Sequence, residues 1–269
     1  MILGQNAQLA LDTIHQKPTK GIPSWTFHDM EWAHLDMVSG NQLGAYEKQP
    51  ENVYMACQRV TSTCMIDQYI PKNPLTLQQN GFAHGSFSVT TGVKEIIHDG
   101  LLIDSPEAMV DHMEKFYLPK LRKQIAEFNE DKRVNEIIAS EKQVQEEVFG
   151  SALLKVPYAV ASFPVFHYNR YGYENYFMGY VLYPEICDQC FELEADFALL
   201  NNRAVARAYQ EGNLPPLLRL DFDMADSRGT LVDIKSLDTR WFPHFARCLE
   251  PLLKSPVKLI WHCDGNLMQ

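Results

Sequence analysis

The chain has 269 residues, 46% of them hydrophobic and 22% charged, which is enough for a sizeable core in an ordinary globular protein. A formal net charge of -10 argues against nucleic acid, which wants a basic face, and against anionic membrane surfaces. No apolar run approaches the roughly 20 residues of a membrane-spanning helix. Gln5, Asn6, Gln8 and Asp12 interrupt the region where a signal peptide would carry its apolar core, so the cytoplasm is the expected compartment.

The apolar run 22–27 reads as a first strand ending in His28 and Asp29. Helical stretches follow over 31–49 and 51–61. A second strand, 64–66, ends in Asp67. Segment 71–102, rich in Gly, Thr and Phe, is either a hairpin or an active-site loop. Ser105-Pro106-Glu107 is a helix start, with a capping hydroxyl, a proline in the first turn and an acid at the positive dipole end. From there to about residue 149 the pattern predicts two helices broken near 129–132. A third strand, 158–166, ends in His167 and Tyr168. A helix is expected over 184–209, and a fourth strand, 217–220, ends in Asp221 and Asp223. A further helix over 235–253, interrupted at Pro243, leads to a last strand at 257–261 and then His262-Cys263-Asp264-Gly265.

Near-continuous apolar runs suit strands buried on both faces of a parallel sheet, and strands alternating with helices imply an α/β fold with right-handed crossovers. No repeat or linker marks a boundary, so one domain over 1–269 is expected. Six cysteines in a chain this long are not a disulfide scaffold. Cys187 and Cys190 form a C-x-x-C, but no second pair occurs at zinc-ribbon spacing, and a buried pair on a helix is the better reading.

Three clusters carry possible chemistry. His28-Asp29 with Glu31 and His34 either lines a pocket mouth or starts a helix, where the acids would cap. Asp221 and Asp223 share one face of an extended segment and can share a proton, bind a cation or orient a base; the bland alternative is a solvated loop. His262 and Asp264 also face one side, and together offer nitrogen and oxygen to a metal. Phosphate-cradle, nucleophile-elbow and H-E-x-x-H motifs are absent from the sequence. The aromatics of 163–183, with Tyr168 and Tyr173 among them, either floor a pocket for a flat ligand or pack on a rim.

Four motifs carry a family resemblance. Ile22-Pro23-Ser24-Trp25-Thr26-Phe27-His28-Asp29 looks like the first strand and pocket entry of the uroporphyrinogen decarboxylase superfamily, which includes cobalamin-dependent methyltransferases working with zinc. Leu102-Ile103-Asp104-Ser105-Pro106-Glu107-Ala108 resembles its pre-helix signature. The stretch 221–231 followed by Trp241-Phe242-Pro243-His244-Phe245 is similar to its acidic loop and the helix after it. Finally, 259–266 resembles its His-x-Cys-Gly or His-x-Asp-Gly strand.

The resemblance implies a distorted (β/α)8 TIM barrel, a single domain of which about five of the eight strands are present and the C-terminal part is missing. A chain cut there is expected to leave an unpaired edge at 257–261, to be poorly soluble or loosely packed, and to lack turnover. For the parent enzyme the resemblance implies catalytic roles for Asp67, Asp221 and Asp223. It implies substrate contacts from His28, Asp29, His167, Tyr168 and Tyr173, and zinc ligation by His262 with Asp264. The activity implied is methyl transfer from a methylcorrinoid, carried by a corrinoid protein, to a thiol. The alternatives are cofactor-independent decarboxylation of a tetrapyrrole, with Asp67 near the pyrrole nitrogens and Tyr173 beside the carboxylates, and a non-catalytic remnant that binds a small molecule. Two positions depart from the family. An acidic His28-Asp29-Met30-Glu31 stands where the decarboxylases carry arginine, and Asp264 stands where the zinc methyltransferases carry cysteine.

Overall fold

The computed structural model describes residues 2–26, 31–71 and 95–267, so His28 and Asp29 and most of the 71–102 segment lie outside it. The described residues form a mixed α/β structure in which helices outweigh short strands. Four helices come first: α1 (Gln5–Ile14), α2 (Trp32–Val38), α3 (Ala45–Lys48) and α4 (Pro50–Val60). Strand β1 (Met65–Ile66) follows, then β2 (Ile97–His98) and β3 (Leu101–Leu102), an antiparallel hairpin. Its turn places Asp99 at φ +50° and Gly100 at φ +80°, the paired positive values that match the twist of a two-residue hairpin.

Helices α5 (Pro106–His112), α6 (Leu118–Ala126) and α7 (Glu130–Gln143) come next. Ser105 Oγ accepts from Ala108 N, and Asn129 Oδ1 accepts from Lys132 N, so both predicted starts are capped. Strand β4 (Leu154–Lys155), α8 (Tyr168–Tyr171), α9 (Tyr173–Leu182) and the 29-residue α10 (Pro184–Gly212) follow. The order ends with β5 (Leu217–Asp221), α11 (Ile234–Ser236), α12 (Phe242–Leu253) and β6 (Lys258–His262). A π turn, Leu237–Trp241, joins α11 to α12, so the helical run is continuous and Pro243 falls in the first turn after the π turn. No helix of the described residues is long and apolar enough to cross a membrane.

Among the described residues, every strand contact except the hairpin and a local bridge between Ala225 and Thr230 is parallel. Trp25 bridges Met65, β1 pairs with β4, Tyr158 bridges Arg219, and β5 pairs with β6. Five segments therefore stand side by side in chain order, with helices in each crossover. They do not close into a barrel among the described residues. Arrays of this kind gather the strand C-termini at one end.

Two expected strands are corrected. The first is reduced to the bridge at Trp25; Pro23 has no N–H to offer a ladder, and Ile22 is 93% exposed. The third lies at β4 with a bridge at Tyr158, not over 158–166. Ala159 turns the chain out of line at φ +54°. The backbone beyond it is then satisfied by side chains instead of a neighbouring strand. Asn201 Nδ2 donates to Val160 O at 2.8 Å, and Asn202 both accepts from Ser162 N at 3.0 Å and donates to Ser162 O at 2.8 Å. Glu194 accepts from Val165 N, and Trp241 Nε1 donates to Pro164 O. This leaves 160–166 outside the ladders but anchored, chiefly by α10 with Trp241, at five of its peptide groups: Val160 O, Ser162 N, Ser162 O, Pro164 O and Val165 N.

The small residues Ala195, Ala198, Ala204 and Ala208 are fully buried on α10, where they admit α7 and α12 closely. Around Phe166 the aromatic rings of Tyr176, Tyr180, Phe191, Phe222 and Trp241 pack within 6.4 Å. Most aromatics of 163–183 are thus core rather than the floor of a pocket. All six cysteines are free, and Cys187 and Cys190 are buried on α10 as the helical spacing suggests.

Replacing Asn202 by Ala removes its bonds to two Ser162 peptide groups and a side-chain bond to the Cys248 carbonyl at 2.8 Å. Leaving such groups unmet costs on the order of 2–4 kcal/mol in total, to be read as a lower urea midpoint.

A second test concerns His112, buried between Tyr171 Oη at 3.0 Å and Asp99 Oδ2 at 2.9 Å. Burial lowers its pKa from 6.5 despite the opposing hydrogen bond to Asp99. The unfolded chain therefore protonates first as pH falls, so stability is complete above about 6.5 and declines below it. The difference in unfolding free energy between wild type and His112→Asn, measured from about pH 7 to about pH 5, should shrink accordingly.

Candidate active site

At the C-terminal ends of the parallel segments a continuous string of side chains runs from the interior to the surface. Asp67 follows β1 directly and is almost wholly buried. Its Oδ2 accepts from Arg219 Nε at 2.7 Å, and its Oδ1 accepts from Gln68 N at 2.6 Å and Trp25 Nε1 at 3.2 Å. Arg219 comes from the middle of β5, two residues before Asp221, so strand alternation turns both to one side. Its NH1 donates to Asp221 Oδ2 at 2.6 Å and its NH2 to Gln68 Oε1 at 2.9 Å, while the guanidinium lies 4.6 Å from the centre of the Tyr158 ring.

Asp221 is the branching point. Its Oδ2 also accepts from Tyr158 OH at 2.9 Å, and its Oδ1 accepts from His262 Nδ1 at 2.6 Å. The register of β5 on β6 sets His262 directly opposite Asp221, which is why the two side chains meet. His262 Nε2 then stands 3.3 Å from Asp264 Oδ1, and Asp264 N donates to Asp223 Oδ1 at 2.7 Å. Side-chain exposure climbs along this string, from 0% at Asp67 through 29% at Asp221 and 33% at His262 to 78% at Asp264.

Burial, reinforced by the Asp221 carboxylate, pushes the Tyr158 hydroxyl up to about 12, so it remains a donor at neutral pH. Four carboxylates (Asp67, Asp221, Asp223, Asp264) face one guanidinium and one imidazole, which leaves the mouth negative and suited to a cation. Gly265 permits the geometry. A Cβ there would lie 2.3 Å from the Ala225 backbone, so only glycine lets the 264–266 turn dock on the loop after β5. Asn266 N completes that contact by donating to Asp226 O at 2.8 Å.

The structure thus brings together Asp67, Asp221, Asp223, His262 and Asp264. Asp67 is nonetheless a buried ion-pair partner, enclosed by its donors, rather than a group facing a substrate. The ring of Tyr168 lies in the core, and its hydroxyl donates to Asp223 O at 2.6 Å. Tyr173 stacks on it at 4.6 Å and is 42% exposed, so it does border the mouth. Cys263 turns the other way, toward the aromatic cluster.

His167 belongs elsewhere. It faces Glu194, with Nε2 2.6 Å from Glu194 Oε1, in a nearly buried group that also contains Cys190. His167 stands just before α8, as its N-cap, and its ring lies against Glu194 of α10. Arg219, Tyr158 and Glu194 are the members not foreseen. Arg219 had a signal, a lone cation inside the apolar run Leu217-Leu218-Arg219-Leu220. Glu194 had a fainter one, four residues after Cys190 on the same helix face.

No family model, curated protein or solved structure matches the chain.

Removing the buried cation should be costly. Arg219→Met leaves Asp67 as an uncompensated interior charge, with an expected loss of about 3–5 kcal/mol. Adding Asp67→Asn should restore part of it, giving a non-additive double-mutant cycle by urea unfolding. A single variant as stable as wild type would show that the pair does not hold the strand ends together.

Proposed function

We propose that the chain is part of a uroporphyrinogen decarboxylase-type (β/α)8 enzyme of the methyltransferase-like branch, transferring a methyl group from a methylcorrinoid to a thiol. The order of the five parallel segments supports the barrel, which needs consecutive strands as neighbours. The observation that carries the activity is the His262–Asp264 pair with Asp221 behind it.

That pair fits a zinc ion. Ligand atoms about 2.0–2.1 Å from zinc at tetrahedral angles lie roughly 3.3–3.4 Å apart, close to a non-hydrogen-bonded Nε2 to Oδ1 separation. The observed separation is 3.3 Å. Asp221 accepts the Nδ1 proton, which fixes the tautomer so that Nε2 presents its lone pair on the side of Asp264. Arg219 and Tyr158 hold Asp221 at its other oxygen, and Asp223 fixes the Asp264 backbone. What zinc supplies when bound is a lowered pKa for a thiol, so that the thiolate is available at neutral pH. The negative mouth favours the cation, and Tyr173 offers an exposed ring beside the place a substrate would occupy. A small thiol and a corrinoid-carrying partner protein are the ligands this reading requires.

Tetrapyrrole decarboxylation has less support. It needs the Asp67 carboxylate at the pyrrole nitrogens, whereas that carboxylate is buried against Arg219.

The test is zinc content. Wild type should hold zinc after dialysis, and His262→Ala should hold one equivalent less. Equal zinc content in the two proteins would overturn the reading.

A further inference from the structure

We infer that the chain carries a second divalent-metal site, formed by His167, Cys190 and Glu194 inside the helical layer. It shares no residue with the strand-end pair and does not rest on the function proposed above.

The three ligand atoms, an imidazole nitrogen, a thiol sulfur and a carboxylate oxygen, lie within 4.8 Å of one another. Cys190 and Glu194 are one helical turn apart on α10, the spacing that presents two ligands from one helix face. His167 arrives from the loop that α10 itself anchors. Nitrogen, sulfur and oxygen together are the donor set of a borderline cation such as zinc, not of calcium or magnesium.

Charge points the same way. Glu194 is buried, yet among the described residues no lysine or arginine pairs with it, and His167 is the one ion-pair partner it has. Arg170, the nearby cation, sits over the Tyr117 ring instead, 5.1 Å from its centre. A buried carboxylate is costly without a compensating cation. A divalent ion held by one carboxylate, one thiolate and one neutral imidazole makes a set without net charge, which a dry interior accommodates best.

The surroundings are those of a supported ligand. Tyr117 OH donates to Glu194 Oε1 at 2.5 Å, and Val165 N donates to Oε2 at 3.2 Å, so the carboxylate is aimed from two sides. In the metal-free arrangement His167 Nε2 sits 2.6 Å from Glu194 Oε1 with a proton between them. On binding, the proton shared by Nε2 and Oε1 passes to solvent, and so does the thiol proton as the Cys190 S–H bond breaks and its electron pair goes to the metal; two protons leave as the two positive charges of the ion arrive. No electron is transferred.

Cobalt(II) titration of the chelator-treated chain tests this, because a thiolate ligand gives a near-ultraviolet charge-transfer band that nitrogen and oxygen ligands do not. Wild type and His262→Ala should both develop the band, and Cys190→Ser should lose it while keeping the wild-type far-ultraviolet circular dichroism. Should Cys190→Ser fail to fold, X-ray absorption of the zinc-loaded His262→Ala chain decides. One sulfur at about 2.3 Å with nitrogen and oxygen near about 2.0 Å supports the site. A wild type without the band, a band that survives Cys190→Ser, or a zinc shell of nitrogen and oxygen alone would overturn it. Loss of the band in His262→Ala would also overturn it, since sulfur ligation would then belong to the strand end.

Discussion

The guanidinium of Arg219 is the contact on which the strand ends depend. It lies in the middle of a buried strand, where an unpaired cation would be intolerable, and reaches acids on two different segments. Asp67 belongs to the second parallel segment and Asp221 to the fourth, so one side chain spans the third. Tyr158 of that third segment lies under the guanidinium and donates to Asp221. The ladders joining these segments are only a few residues long. Their alignment at the C-terminal end is therefore set as much by this polar string as by backbone hydrogen bonds.

The same division of labour appears in the helical layer. Residues 160–166 run beside the sheet without joining it, and Asn201, Asn202, Glu194 and Trp241 supply what a neighbouring strand would have supplied. Helix α10 consequently has two tasks. Its alanine face packs against α7 and α12, while its polar face reads the backbone of an irregular segment. His167 falls into the buried group because the segment that carries it is fastened to that helix.

Much of this was legible in the sequence. The alternation of apolar runs and helices, the cap at Ser105, the helix break near 129–132, and the gathering of Asp221, Asp223, His262 and Asp264 all follow from sequence pattern and strand alternation. What spacing does not reveal is which way an acid is spoken for. Asp67 reads as a polar strand end, and only the three-dimensional reach of Arg219 turns it inward. The run 158–166 reads as a strand because its composition is apolar, but composition cannot register a single residue in the left-handed region at Ala159. His167 and Tyr168 look like strand-end residues for the same reason, and both are drawn into the helical layer when that strand ends early.

The interlock between Gly265 and Ala225 limits how the mouth can move. Backbone meets the missing side chain so closely that neither the turn after β6 nor the loop after β5 can slide past the other. These two walls form a fixed doorpost that carries His262 and Asp264. Any widening needed to admit a bulky ligand has to come from elements outside that post. A side chain at position 265 could not be accommodated by trimming position 225, because what it would strike is the Ala225 backbone itself.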